Sequence, residues 1–67
     1  MKNANILATI DSNYVLPLKV MLYSLFVNNR QTRFDIYVIH SDLSDTVLDD
    51  LNSLSARFGS RVCPVVI

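Results

Sequence analysis

The chain has 67 residues, of which 51% are hydrophobic, and its six acidic residues balance six basic ones. The basic residues are scattered along the chain, so the sequence lacks the cationic block that nucleic-acid binding requires. Glycine and proline are scarce, at one and two residues, and this composition excludes a disordered low-complexity chain.

The cysteine content and the apolar runs bear on localisation. Cys63 has no second cysteine with which to form a disulfide or a zinc pair, which is typical of a reducing compartment. The longest apolar stretch, 15–27, contains Pro17 and Lys19 and is shorter than the roughly 20 residues that cross a bilayer. The run 6–10 is too short for the apolar part of a signal peptide. We therefore expect a cytoplasmic protein without a membrane span.

The first part of the chain predicts a strand, a turn and a helix. Residues 6–10 form a continuous apolar run with β-branched side chains, typical of a strand buried on both faces of a parallel sheet. The segment 11–13 favours a turn and a helix N-cap. Leucines at three- and four-residue spacing then predict a helix over about 15–27, with Pro17 tolerated in its first turn.

The second part predicts a strand, a helix and another strand. Residues 34–40 carry apolar side chains on both faces of a strand, and we expect both faces to be covered. Ser44 is the predicted N-cap of a second helix, and Gly59 follows its end as the C′ residue. Residues 61–67 predict a third strand, which Pro64 assigns to the edge of the sheet because proline has no N–H.

This order of elements predicts one α/β unit over residues 1–67. Helical crossovers between strands imply a parallel sheet with right-handed connections. We expect a βαβαβ three-layer unit, the N-terminal half of a doubly wound, Rossmann-like nucleotide-binding domain. Chains below about 70–80 residues rarely build a self-sufficient core, so we expect a fragment, a subunit or a truncated gene product.

The loop after the first predicted strand carries the residues best suited to binding. Asp11, Ser12, Asn13 and Tyr14 offer a carboxylate, a hydroxyl, an amide and an aromatic ring where parallel sheets bind their ligands. The carboxylate can accept an N–H from a base edge, and the tyrosine ring can stack on a base. The residues alone favour the alternative that this segment is only a turn and cap. The loop lacks G-x-G-x-x-G and G-K-[ST], which disfavours NAD and P-loop sites.

The sequence resembles family 8 glycosyltransferases. Residues 6–14, ILATIDSNY, are similar to the opening strand and D-x-N-Y loop of that family, and residues 16–25 are similar to its first helix. The segment 34–40 and the helix ending near Phe58 are similar to the second strand and second helix. The resemblance implies a GT-A fold and an enzyme that transfers a hexose from a UDP-sugar to an acceptor with retention of configuration, using Mn²⁺ or Mg²⁺.

The resemblance also implies roles for four residues of the base pocket. Asp11 would accept the uracil N–H, and Asn13 would hydrogen-bond the base or the ribose. Tyr14 would stack on the uracil ring, and Thr9 would line the same pocket.

The sequence departs from the family pattern at the metal and at the acceptor site. The D-x-D motif is absent, because Asp49 and Asp50 are adjacent and lie on a predicted helix face. The later H-x-x-G-x-x-K-P-W segment is absent too, and we expect His40 to cap a turn or lie at the surface. We therefore expect no catalytic residue and no metal ligand in this chain, and no catalysis by the chain alone.

The predicted βαβαβ order also occurs in two other classes of protein. A βαβαβ unit could be a non-enzymatic interaction module that self-associates, or pairs with the remainder of its domain, through an open sheet edge beside the first strand. A receiver-like regulatory domain is disfavoured, because it needs a phosphorylatable aspartate after the third strand, where this chain ends.

Overall fold

A computed structural model describes residues 2–67, which form three strands and two helices. The elements are β1, Lys2–Thr9; α1, Val15–Asn28; β2, Thr32–His40; α2, Asp45–Ala56; and β3, Arg61–Val66. A single 3₁₀ turn, Ser12–Tyr14, connects β1 to α1. The predicted order of strand, helix, strand, helix and strand is confirmed.

The three strands are parallel, and β2 lies between β1 and β3. Ile6 of β1 is level with Ile36 of β2, and Ile36 is level with Val62 of β3, so these side chains share one face. Pro64 lies in β3 and therefore in an edge strand of this sheet, as predicted. β1 is the other edge strand, and its outer backbone groups are not paired by any strand among residues 2–67.

Both helices pack on the same face of the sheet. Their buried side chains join those of β2 and β3 in one hydrophobic core: Leu18, Leu22, Phe26, Phe34, Ile36, Val38, Leu43, Leu51 and Val62. Two right-handed crossovers that advance from strand to neighbouring strand in one direction place their helices on one side of the sheet. Residues 2–67 therefore form two layers, and the third layer expected from the sequence is not among them.

Contacts between the helices and the sheet fix the helix positions over it. The ring of Phe26 in α1 lies 5.8 Å from that of Phe34 in β2 and 5.4 Å from that of Phe58, which follows α2. Lys19 of α1 forms an ion pair with Asp50 of α2. The contact of Phe26 with Phe34 places the end of α1 over the amino end of β2, and the ion pair of Lys19 holds the first half of α1 beside α2.

The opposite face of the sheet is open, which corrects the prediction that the strands are covered on both sides. Leu7 of β1 is 71% exposed, and Tyr37 and Ile39 of β2 are only partly buried. On the same face, Nε of Arg61 donates to Oδ1 of Asp35 at 2.9 Å. This hydrogen bond and the charge of Asp35 raise the pKa of Arg61 above its ordinary value.

The predicted ends of α2 are confirmed. Oγ of Ser44 accepts a hydrogen bond from the N–H of Val47 at 3.3 Å, which satisfies one of the free amides of the first turn. Gly59 has a φ of +74°, a left-handed conformation that glycine adopts without the cost a Cβ would bring.

α1 carries apolar side chains on its solvent side as well as on its buried side. Leu18, Leu22 and Phe26 face the core, yet Leu16 and Val20 are 70% and 61% exposed on the other side. A globular helix normally confines its apolar residues to one face, so α1 has an exposed surface of unusual character. No helix within residues 2–67 has both the length and the hydropathy needed to cross a membrane.

Candidate functional site

A cleft of about 270 Å³ lies at the carboxyl ends of β1 and β2. The residues that line it come from both strand ends, from the loops that follow them and from the end of the chain: Thr9, Ile10, Asp11, Tyr14, Ile39, His40, Ser41 and Ile67. The N–H of Ile10 donates to the carbonyl of Ile39 at 3.0 Å, so the ladder between the strands continues to the edge of the cleft. The cleft is therefore where an open parallel sheet is expected to bind a ligand.

The loop after β1 closes on itself through Asp11. Oδ1 of Asp11 accepts the N–H of Asn13 at 2.9 Å, and the carbonyl of Asp11 accepts the N–H of Tyr14 at 3.1 Å. An aspartate that bonds the backbone two residues on is a common way to start a turn, and here it caps the 3₁₀ turn. The sequence prediction of a turn and cap at this point is confirmed.

All three backbone amides of the 3₁₀ turn have acceptors within the chain. The N–H of Ser12 donates to Oδ2 of Asp42 at 3.5 Å, while those of Asn13 and Tyr14 go to Asp11. Free amides of this kind are what a phosphate group binds at a helix start. This turn therefore offers a ligand its side chains rather than its backbone.

Three of the four predicted base-pocket residues line the cleft, and the fourth does not. Thr9, Asp11 and Tyr14 are exposed and border the same space. Asn13 is exposed in the same turn but does not line the cleft. A single loop conformation thus brings a carboxylate, a hydroxyl and an aromatic ring to one opening.

The ring of Tyr14 is available for stacking. Tyr14 is 59% exposed, and none of the aromatic pairs formed within residues 2–67 includes it. It also borders a second groove of about 390 Å³, which is mainly apolar and runs along Pro17 and Met21 of α1. Tyr14 therefore separates a mixed polar cleft from an apolar groove.

His40 is buried, which corrects the expectation that it could lie at the surface. It is 4% exposed, and its Nδ1 accepts the N–H of Leu43 at 3.2 Å, so the predicted capping role is confirmed. An Nδ1 that accepts a hydrogen bond assigns the proton of the neutral ring to Nε2. Within residues 2–67 that buried Nε2 has no hydrogen-bond partner.

The sequence prediction missed the contribution of the β2 loop to this site. His40 is the last residue of β2, and Ser41 and Asp42 begin the loop that follows, here called the β2 loop; His40 and Ser41 line the cleft. Their position at the carboxyl end of a predicted parallel strand could have indicated this contribution, because the carboxyl ends of neighbouring parallel strands lie side by side.

The described residues do not fit a divalent metal ion. No three His, Cys, Asp or Glu side chains among residues 2–67 come together in a group that could hold one. Asp49 and Asp50 are exposed on α2, away from the cleft, and Asp50 is paired with Lys19. One ring nitrogen of His40 is engaged and the other is buried.

Comparison with known proteins gives one family. The model of the family described as Glycosyl transferase family 8 matches residues 5–66, which include both helices, β2, β3, the second part of β1 and every cleft residue except Ile67. No curated protein gives a significant match to the chain.

Proposed function

This chain belongs to glycosyltransferase family 8, and we propose that it supplies the base and ribose pocket of an enzyme that transfers a hexose from a UDP-sugar to an acceptor with retention. The observation that carries the proposal is the cleft where Thr9, Asp11 and Tyr14 meet at the carboxyl end of β1. The family match covers this loop, and the open side chains there suit a planar, hydrogen-bonding ligand.

Each side chain has a proposed role in holding the nucleoside. The Asp11 carboxylate, which keeps its acceptor-only character when ionised, accepts the uracil N–H. The exposed ring of Tyr14 stacks on the base, an interaction worth about 1–3 kcal/mol in nucleic-acid systems. Thr9 borders the base, and Asn13, which lies outside the cleft wall, reaches the ribose or the base edge from the turn.

The diphosphate is bound elsewhere in this proposal. The amides of the 3₁₀ turn already have acceptors, and two carboxylates, those of Asp11 and Asp42, stand at the same loop and repel a further negative group. Mn²⁺ or Mg²⁺ would neutralise the leaving diphosphate, and no three His, Cys, Asp or Glu side chains among residues 2–67 form a group that could hold such an ion. The 67-residue chain by itself therefore binds the nucleoside end without catalysing transfer.

A second candidate function rests on the unpaired edge of β1. The edge presents backbone groups that no strand among residues 2–67 pairs, and the exposed side chain of Met21 in α1 borders a groove with Ala8 of β1. An edge of this kind is a template for pairing with another strand, so the chain could act as a non-enzymatic module that self-associates. Sedimentation with and without UDP separates the two functions, because a stable dimer indifferent to UDP favours the module.

The direct test is a titration of UDP into the chain, followed by two-dimensional amide NMR. We expect shifts confined to residues 9–14 and 40–42. Tyr14→Ala should weaken binding at least about fivefold, since stacking contributes about 1 kcal/mol or more. Tyr23→Ala is the matched control, because Tyr23 is similarly exposed, at 54%, but lies on α1 against Phe58. Dispersed spectra without shifts, or equal weakening by both variants, would contradict the proposed pocket.

A further inference from the structure

The loops that follow β1 and β2 are tied together by a contact between residues 30 positions apart. The backbone N–H of Ser12 donates to Oδ2 of Asp42 at 3.5 Å. At 3.5 Å this bond is longer than an ordinary N–H···O bond, and its main contribution is the electrostatic attraction between the N–H and the carboxylate. It anchors the first residue of the turn that carries Asp11 and Tyr14.

Asp42 is itself held from both sides. His40 and Leu43 are buried, at 4% and 8% exposure, and a hydrogen bond of 3.2 Å joins Nδ1 of His40 to the N–H of Leu43. The turn between them therefore has both of its ends in the core, and only Ser41 and Asp42 project from it. A short turn with two buried ends restricts the backbone position of Asp42, from which its carboxylate reaches Ser12.

We propose that Asp42 is a positioning residue for the nucleotide loop, and that His40 acts through Asp42 by fixing the turn that presents it. The proposal rests on the proposed function and deepens it, since it assigns to the β2 loop a role in the same pocket. Oδ1 of Asp11 accepts the N–H of Asn13, and Oδ2 of Asp42 accepts the N–H of Ser12. The turn is therefore ordered before a ligand binds. A pocket ordered in advance loses less conformational entropy on binding.

The same contact predicts that this loop binds the nucleoside end of the ligand rather than its diphosphate. Because the N–H of Ser12 donates to the Asp42 carboxylate, the turn has no free amide there for a phosphate. The negative charge of Asp42 also repels a phosphate group placed beside it. Removal of Asp42 should therefore weaken UDP binding and relax the discrimination against inorganic phosphate.

The test compares Asp42→Ala, Asp42→Asn and the control Asp49→Ala in UDP titrations of the whole chain. Asp49 is an exposed aspartate of α2 that lies away from the loop, so its removal matches the change in charge. We expect Asp42→Ala to weaken UDP binding about three- to tenfold and Asp49→Ala to leave it unchanged, as the loss of one hydrogen bond predicts. Asp42→Asn keeps an acceptor and should fall between the two.

Readouts without ligand separate positioning from a general loss of stability. In Asp42→Ala the amide of Ser12 should exchange faster with solvent and change its chemical shift, while the urea midpoint of unfolding stays within error of wild type. His40→Asn retains an acceptor near the position of Nδ1 and should restore much of the UDP affinity that His40→Leu loses. The double variant His40→Leu, Asp42→Ala should bind UDP little worse than Asp42→Ala, because both changes act on one contact.

The outcomes of the proposed function and of this inference are distinct. If the wild-type chain folds and UDP does not bind, the proposed function fails and the inference with it. If UDP binds and Asp42→Ala binds it equally well, or leaves the Ser12 amide unchanged, the inference alone is overturned.

Discussion

Asp11 combines a structural contact with a free hydrogen-bonding edge. Its Oδ1 holds the turn by accepting the N–H of Asn13, and among the hydrogen bonds of residues 2–67 its other carboxylate oxygen has no part. The turn-and-cap interpretation and the base-binding hypothesis are therefore compatible, because Oδ1 caps the turn and Oδ2 is free to accept a hydrogen bond from a base. Residue patterns alone presented them as alternatives.

The separate roles of the two Asp11 oxygens predict the effect of Asp11→Asn. Asparagine keeps an oxygen for the Asn13 amide and replaces the second oxygen by an NH₂ donor, which suits the N3 acceptor of cytosine rather than the N3–H of uracil. We expect UDP affinity to fall about tenfold and CDP affinity to rise relative to it, measured by calorimetry. Asp49→Asn serves as the control for charge. An unchanged UDP-to-CDP ratio would show that Asp11 does not read the base.

The caps of α2 show how single residues define an element. Ser44 begins the helix, and Gly59 allows the chain to reverse into β3. The side chain of Asn52 in α2 then accepts the N–H of Val62 at 3.0 Å, and Oγ of Ser60 accepts the buried N–H of Phe34 at 2.9 Å. Side-chain hydrogen bonds therefore join α2 to β3, and the loop between them to β2.

Ser44→Ala should destabilise the chain by about 1 kcal/mol, because the amide of Val47 loses its acceptor at the start of α2. The measurement is urea unfolding monitored by circular dichroism. Ser53→Ala is the matched change within the same helix, where the residue is exposed and alanine is the better helix former, so stability should stay equal or rise. Equal losses in both variants would rule out a capping role for Ser44.

At the scale of the whole molecule, residues 2–67 form one small core, and the helices cover only one face of the sheet. All its fully buried large side chains lie between the two helices and one face of the sheet, while Leu7, Val65 and Ile67 remain exposed. Domains of this size retain only about 3–5 kcal/mol of stability. The exposed apolar side chains of the open sheet face and of α1 therefore add little to this stability, and their burial against another surface would increase it.

Leu22→Ala tests how narrow this margin is. Leu22 is fully buried, and truncation of such a leucine costs about 2–5 kcal/mol, which is comparable to the whole stability of the chain. We expect the variant to lose its cooperative thermal transition in circular dichroism. Leu16→Ala, on the exposed side of the same helix, should unfold as wild type does. A cooperative Leu22→Ala variant would mean that the core is more robust than its size implies.

The sequence by itself determined the local features of this protein. The order of elements, the caps at Ser44 and Gly59, the edge position of Pro64 and the turn at Asp11 follow from propensities and spacing over a few residues, which act within each segment. The family resemblance at residues 6–14 likewise depends on adjacent residues, and the family match over residues 5–66 agrees with it.

Only the tertiary structure decided which faces are covered and which loops meet. The exposure of Leu7 follows from both crossovers placing their helices on one side, and an apolar run looks the same whether one face or two are covered. His40 is buried in the folded chain. The contact of Asp42 with Ser12 joins residues 30 positions apart. Pairing of β1 with β2 brings those loops together, because parallel strands end at the same edge of a sheet whatever the sequence between them.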